Sequence, residues 1–286
     1  VTTPVRTAGK FGRKPAQFPA ALHDLTHYVA GSLPKAPASM AVPEVSTWEM
    51  LGNDTYGDCG VAGLEHLLMA AAADTGEQET FASDQQAVDY YLKYTGGVDE
   101  GVVLSEYLTY VRRHGYYGKT VKAFAPVSVH DLPSLQTAMW LYDGVYTGIA
   151  VTQAMMNAFG QGQPWTLEMA QQEQIGGHCI PLIGFDGKYV YAVTWGGVQA
   201  IEYPAWHAMS SEAWAVISGE LGNGDGHGID LAALKADLDK LDVPAPSAPT
   251  VHKSLLAEVA DLVRLVAASA DKDISEVVAW LASHGL

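Results

Sequence analysis

The chain changes its hydrophobic period once, near residue 142, and that switch limits the folds open to it. Before it, apolar residues recur at helical spacing. The run 58–73 is entered through the turn-rich NDTYGDCG and ends near Asp74–Gly76. Ser83–Tyr94 follows, with a serine N-cap and a Gly-Gly stop, and then Leu104–His114, closed by Gly115. Asp131–Tyr142 is a further helical stretch. After the switch come β-branched and aromatic runs separated by glycines: GVYTGIAVT (144–152), HCIPLIGF (178–185), KYVYAVTW (188–195) and VQAIEY (198–203). Helices first and an antiparallel sheet afterwards predict an α+β fold.

Length allows one or two domains with a well-buried core. Of the 286 residues 48% are hydrophobic and 17% charged, which excludes collagen-like, disordered and coiled-coil classes. A net charge of -16 argues against nucleic acid or an anionic membrane as partner, since both need a basic face. No run reaches the roughly 20 apolar residues of a membrane span. The N-terminus has bases but no apolar signal-peptide core, so a cytoplasmic location is expected, or a virion if the chain is phage-encoded. Two cysteines, Cys59 and Cys179, are too few for a disulfide framework or a four-thiolate zinc site.

Three regions are expected. Residues 1–45 form a basic, proline-rich arm with at most one short helix near Ala20–Ala30. Within 1–37, five bases stand against Asp24 alone, a net +4, so the remainder carries -20. Residues 46–221 hold the main domain. Residues 222–286 are linker and small helical appendage: GNGDGHG (222–228) and VPAPSAPT (243–250) bracket a short amphipathic helix at Ile229–Leu241. Two further apolar helical runs follow, the second capped by Asp273. Residues 1–37 and 251–286 are the expected contacts to a protein partner or neighbouring subunit, because a proline-rich arm gains its order on a partner.

Cys59 stands where a glycine-rich turn meets a helix start, a position whose dipole favours a thiolate. The plain alternative is a small buried hydrophobe. The flanking residues decide between them. NDTYGDCGVAGLEHLL (53–68) resembles the active-site segment of papain-like cysteine peptidases, and Asn53, six residues before Cys59, occupies the place of the family's oxyanion-binding glutamine. GGHCIPLIGFDGKYVYAVTWGG (176–197) resembles the family's His-bearing strand, turn, strand and Trp-Gly element, with His178 119 residues after Cys59.

The resemblance covers about residues 46–218. It implies that Cys59 is the nucleophile, that His178 is the general base and ion-pair partner facing it across a cleft, and that Asn53 with the Cys59 N–H holds the oxyanion. At the place of the family's orienting Asn stands Val193, followed by Thr194, whose hydroxyl can serve the imidazole if the register moves by one residue. Asp186 is a weaker candidate for that role. Strand alternation turns Cys179 away from His178. His66 and His207 read as helix-face or surface residues, no metal-ligand spacing occurs, and no glycine run ends as a phosphate loop does. No cofactor is expected. Two functions stand: a cysteine peptidase or amide hydrolase acting on a peptide or amide substrate, and a catalytically silent papain-like module acting as a structural or assembly protein, such as a phage virion component.

Overall fold

The computed structural model describes residues 8–31, 34–75, 81–218 and 228–241. By their contacts the residues divide into two compact units, Val1–Pro246 and Ser247–Leu286, and everything described lies in the first. The helical runs expected beyond residue 250, Asp273, and the linkers at 222–227 and 243–250 lie outside the described residues.

Helix α1 (Cys59–Thr75) is the spine of the unit. Its residues from Cys59 to Ala72 are all buried, as befits a helix with apolar or small residues on every face. Its two large polar side chains each have a backbone partner: Glu65 Oε1 accepts the Ala82 N–H at 2.5 Å, and His66 Nε2 donates to the Glu49 carbonyl at 2.8 Å. α2 (Asp84–Thr95) opens with a complete capping box, Ser83 and Gln86, and closes on Gly96 in the left-handed region, φ 67°. α3 (Leu104–His114) ends at Gly115, φ 70°.

β1 (Val121–Pro126) comes next, then α4 (Leu132–Leu141), capped by Asp131, and β2 (Val145–Thr152). α5 (Gln153–Gly160) and α6 (Leu167–Ala170) follow. The strands β3 (Gln174–Phe185), β4 (Tyr189–Thr194) and β5 (Gly197–Glu202) lead to α7 (Tyr203–Met209) and β6 (Ser210–Ser218). α8 (Leu231–Leu238) is the last described helix. The sheet runs β1-β6-β2-β3-β4-β5 and every pairing is antiparallel. The last strand therefore enters between β1 and β2.

β1, α5 and α6 are among the elements with no counterpart in the sequence reading. β1 is short, carries Lys122 and ends on Pro126, which an edge strand tolerates. α5 and α6 are double- and single-turn helices, respectively, inside the β2–β3 connection, too brief for a periodic signal.

The described part of the arm rests on its own unit. Met40 exchanges backbone hydrogen bonds with Phe185, at 2.8 and 3.0 Å. A 3-10 turn at Leu25–Tyr28 buries Leu25 and Tyr28, and the Tyr28 hydroxyl donates to Asp237 of α8 at 2.9 Å. No helix among the described residues is long and apolar enough to cross a membrane.

The capping box gives a direct stability test. Ser83→Ala removes the side-chain acceptor for the Gln86 N–H, and urea unfolding is expected to show a loss of about 1 kcal/mol with an unchanged slope.

Candidate active site

Cys59 is the first residue of α1 and only 1% exposed. The chain reaches it through a tight turn, with Leu51 and Gly52 in left-handed conformations (φ 58° and 86°) and the Thr55 and Tyr56 N–H groups both donating to the Gly52 carbonyl. The Asp58 carbonyl then accepts from Val61 and Ala62, which starts the helix. Burial pushes the Cys59 thiol up to about 12; backbone hydrogen bonds from Cys179 and Gly12 pull the other way, and the neighbouring Asp58 adds to the rise. The helix-start position favours a thiolate, but here the loss of water outweighs it.

His178 lies on β3 and is equally buried. Its Nε2 is 2.8 Å from Thr194 Oγ1, and its ring stacks on Trp195, centroids 4.6 Å apart at 21°. The Phe11 ring meets it edge-on at 6.1 Å. Nδ1 is buried with no hydrogen-bond partner. Burial lowers the imidazole pKa to about 3. With the arm in place, thiol and imidazole are both neutral.

Thr194 reaches the ring because the β4–β5 turn is the two-residue kind that needs positive φ at both centres: Trp195 at 43° and Gly196 at 70°, between Thr194 paired with Gly197. Val193, one residue earlier, points away into a small cluster with Ala70 and Ile183. The oxygen beside the imidazole thus comes from the residue directly before the Trp.

Asn53 is buried, and its amide is committed elsewhere. Nδ2 donates to the Tyr56 carbonyl and to Asp58 Oδ1, both at 3.1 Å. It supports a carboxyl whose pKa burial raises to about 8, and whose Oδ2 has no partner. The Cys59 backbone and the Asn53 side chain therefore do not share one target in this state. Asp186 holds the β3–β4 turn through the Lys188 and Tyr189 N–H groups and takes no part in the site. Cys179 packs under α1: a Cβ on Gly63 would stand 2.9 Å from its sulfur. Among the described residues no group of acidic, His or Cys side chains is arranged to hold a metal.

The arm runs across these residues. Lys10 N–H donates to the Asn53 carbonyl at 2.6 Å, and Trp195 Nε1 reaches the Lys10 carbonyl at 3.5 Å. Gly12 and Lys14 bracket Val102: the Val102 N–H donates to Gly12 O at 2.7 Å and Val102 O accepts from Lys14 at 2.8 Å. Arg13 N–H donates to the Gly177 carbonyl at 3.1 Å. The path is lined by glycine because backbone meets backbone there. A Cβ on Gly12 would sit 1.6 Å from Gly57 O, and one on Gly176 would sit 2.4 Å from the Phe11 ring. Asn53, Cys59, His178 and Trp195 all touch this one extended stretch. The sequence reading assigned Phe11, Asp58 and Glu212 no role, and counted Arg13 only among the five bases of the arm, whose expected contact is a partner or neighbouring subunit.

No protein-family model matches the chain, and no curated protein matches it. Solved structures do. Xylellain, a cysteine protease from Xylella fastidiosa, matches over 76% of this chain and 98% of its own, with a TM-score of 0.56 at 11% identity. The digestive procathepsin L 3 of Tenebrio molitor larval midgut matches over 74% and 76%, with a TM-score of 0.48 at 15% identity. The fold is papain-like in a divergent form.

Two outcomes follow from burial. At pH 8 a thiol with a pKa of about 12 is ionised on the order of 1 part in 10⁴, so native Cys59 is expected to react slowly with iodoacetamide. Gly12→Val cannot fit against Gly57 and is expected to raise Cys59 labelling more than about tenfold while Cys179 stays slow, read by peptide mapping. The second outcome concerns Asp58. Its folded pKa of about 8 lies above the ordinary ~3.9, so stability is fully present below pH ~4 and falls as pH rises toward 8. Asp58→Asn is expected to gain on the order of 2–5 kcal/mol at pH 8 and almost nothing at pH 4, by urea unfolding at the two values.

Proposed function

We propose that this protein is a papain-like cysteine peptidase or amide hydrolase whose cleft is held shut by its own N-terminal segment. The observation that carries the reading is the ladder along Lys10–Lys14: an extended backbone hydrogen-bonds to Asn53, Val102 and Gly177 while lying over Cys59 and His178. A cleft that grips a peptide by its main chain beside a thiol and an imidazole suits peptide-bond chemistry.

Opening the cleft admits water to Cys59, and the helix dipole then acts without the opposing burial. His178 Nδ1, which has no partner in the closed state, takes the thiol proton. The sulfur attacks the substrate carbonyl carbon, a C–S bond forms, and the oxyanion is met by the Cys59 backbone N–H at the start of α1. Collapse breaks the C–N bond as His178 returns the proton to the leaving amine. Water, deprotonated by His178, then releases the acyl group and restores the thiol. Thr194 holds the imidazole through Nε2, and Trp195 shields that hydrogen bond from water.

The test is cleavage of a fluorogenic peptide library. Full-length protein is expected to be slow, Gly12→Val faster, and Gly12→Val with Cys59→Ala inactive. Thr194→Val in the Gly12→Val background is expected to lower kcat by about 10²-fold with little change in KM, since it disturbs the base and not the binding ladder. A Gly12→Val protein that labels rapidly at Cys59 yet cleaves nothing would leave a silent fold.

A further inference from the structure

Glu212 is a charged group in a place where the sheet has no structural need of one. It is the third residue of β6, and its side chain is 0% exposed. One carboxylate oxygen, Oε2, accepts the Trp214 indole N–H at 2.9 Å, which fixes the group from within its own strand. The other, Oε1, accepts from Arg13 Nε at 2.7 Å. Arg13 is itself only 8% exposed. A buried carboxylate without a cationic partner is strongly unfavourable, so Glu212 depends on a cation supplied from outside its strand.

The supply comes from the segment that fills the cleft. Arg13 is the residue whose backbone N–H donates to Gly177 and whose neighbours bracket Val102, so its side chain enters the pocket as a peptide side chain enters a binding subsite. The pocket is cut for it. Gly148, opposite Glu212 in the β2–β6 pairing, leaves open the space that the guanidinium uses: a Cβ there would stand 2.5 Å from Arg13 Nε and 2.6 Å from Glu212 Oε1. Gly177 forms the adjoining wall, its Cβ position 2.5 Å from the Arg13 carbonyl and 3.5 Å from Nη1.

From this juxtaposition we infer that the Glu212–Gly148 pocket is a specificity site for an arginine side chain, that Arg13 is its internal occupant, and that peptides bearing arginine take its place when the arm is displaced. The inference rests on the peptide cleft proposed above and adds the class of side chain it selects. Arginine is favoured over lysine because the pairing atom is Nε, which an ammonium lacks, and because a flat guanidinium suits the slot left by a missing Cβ. The same pair explains how the arm is held: its ladder is common to any peptide, and Arg13 gives it register.

The test reads binding alone, so that it does not depend on catalysis. The full-length chain carrying Gly12→Val and Cys59→Ala is titrated into a fluorescein-labelled peptide copying residues 8–14, followed by anisotropy. A second peptide replaces the arginine with citrulline, which keeps the shape and removes the charge, and a third carries lysine. The arginine peptide is expected to bind at least tenfold more tightly than either. Glu212→Gln, with its fold checked by circular dichroism, is expected to abolish the difference between arginine and citrulline. Should Glu212→Gln not fold, Gly148→Ala serves instead, and is expected to weaken the arginine peptide more than the citrulline one. Equal binding of all three peptides, no binding of any, or discrimination that survives both substitutions would overturn the proposal. Failure of peptide cleavage with discrimination intact would count against the catalytic reading only.

Discussion

Everything in this structure depends on the contact between α1 and β3. α1 is apolar or small on every face, so it must be enclosed, and the sheet encloses it along β3. Gly63 permits the closest approach: with its Cβ position 2.9 Å from the Cys179 sulfur and 3.3 Å from the Tyr146 ring, any larger residue would lift the helix off the strand. The Tyr146 hydroxyl reinforces the join by donating to the Gly60 carbonyl at 2.7 Å. Because Cys59 begins the helix and His178 precedes Cys179 on the strand, this packing contact sets the head of α1 beside the His-bearing strand.

The same enclosure sets the chemistry of the resting state. Burial raises the Cys59 thiol and lowers the His178 imidazole, so both groups are held toward their neutral forms. The arm lies over both groups and excludes water from them, and with it the solvation that a charged thiolate or imidazolium would need. Asp58, whose pKa burial raises, belongs to the same water-poor region, and Asn53 is occupied in supporting it.

Close backbone approach is the second constraint. Gly9, Gly12, Gly57, Gly101, Gly176 and Gly177 all sit where an added Cβ would fall within 3 Å of another atom; the first two belong to the arm and the other four line its path. Glycine here is not a matter of turn geometry alone. It lets an extended chain lie against walls that offer mostly carbonyl and amide groups, and it leaves Arg13 and Phe11 as the side chains that distinguish this occupant from another peptide. The Trp195–Gly196 turn adds a fixed wall at the far side, its tryptophan held in a left-handed conformation that presents the indole face to His178.

Sequence periodicity and caps determined the long elements. Ser83, Gly96 and Gly115 mark helix ends because their reasons are local: a side-chain acceptor or a positive φ. The β3–β5 runs were legible from β-branched alternation, and the helix start at Cys59 and the strand carrying His178 from two short motifs in order. Thr194 was legible as a choice between two adjacent residues, and only the strand register settled it, since Val193 and Thr194 must face opposite sides. β1, α5 and α6 escaped because they are short and owe their form to the elements they pack against. Tertiary structure alone decided that the basic arm lies along Val102, Gly177 and Glu212 of its own chain, because a ladder from Gly12 and Lys14 to Val102 and an ion pair spanning Arg13 to Glu212 join residues far apart in sequence, and no local pattern encodes which distant carboxylate a basic side chain will meet.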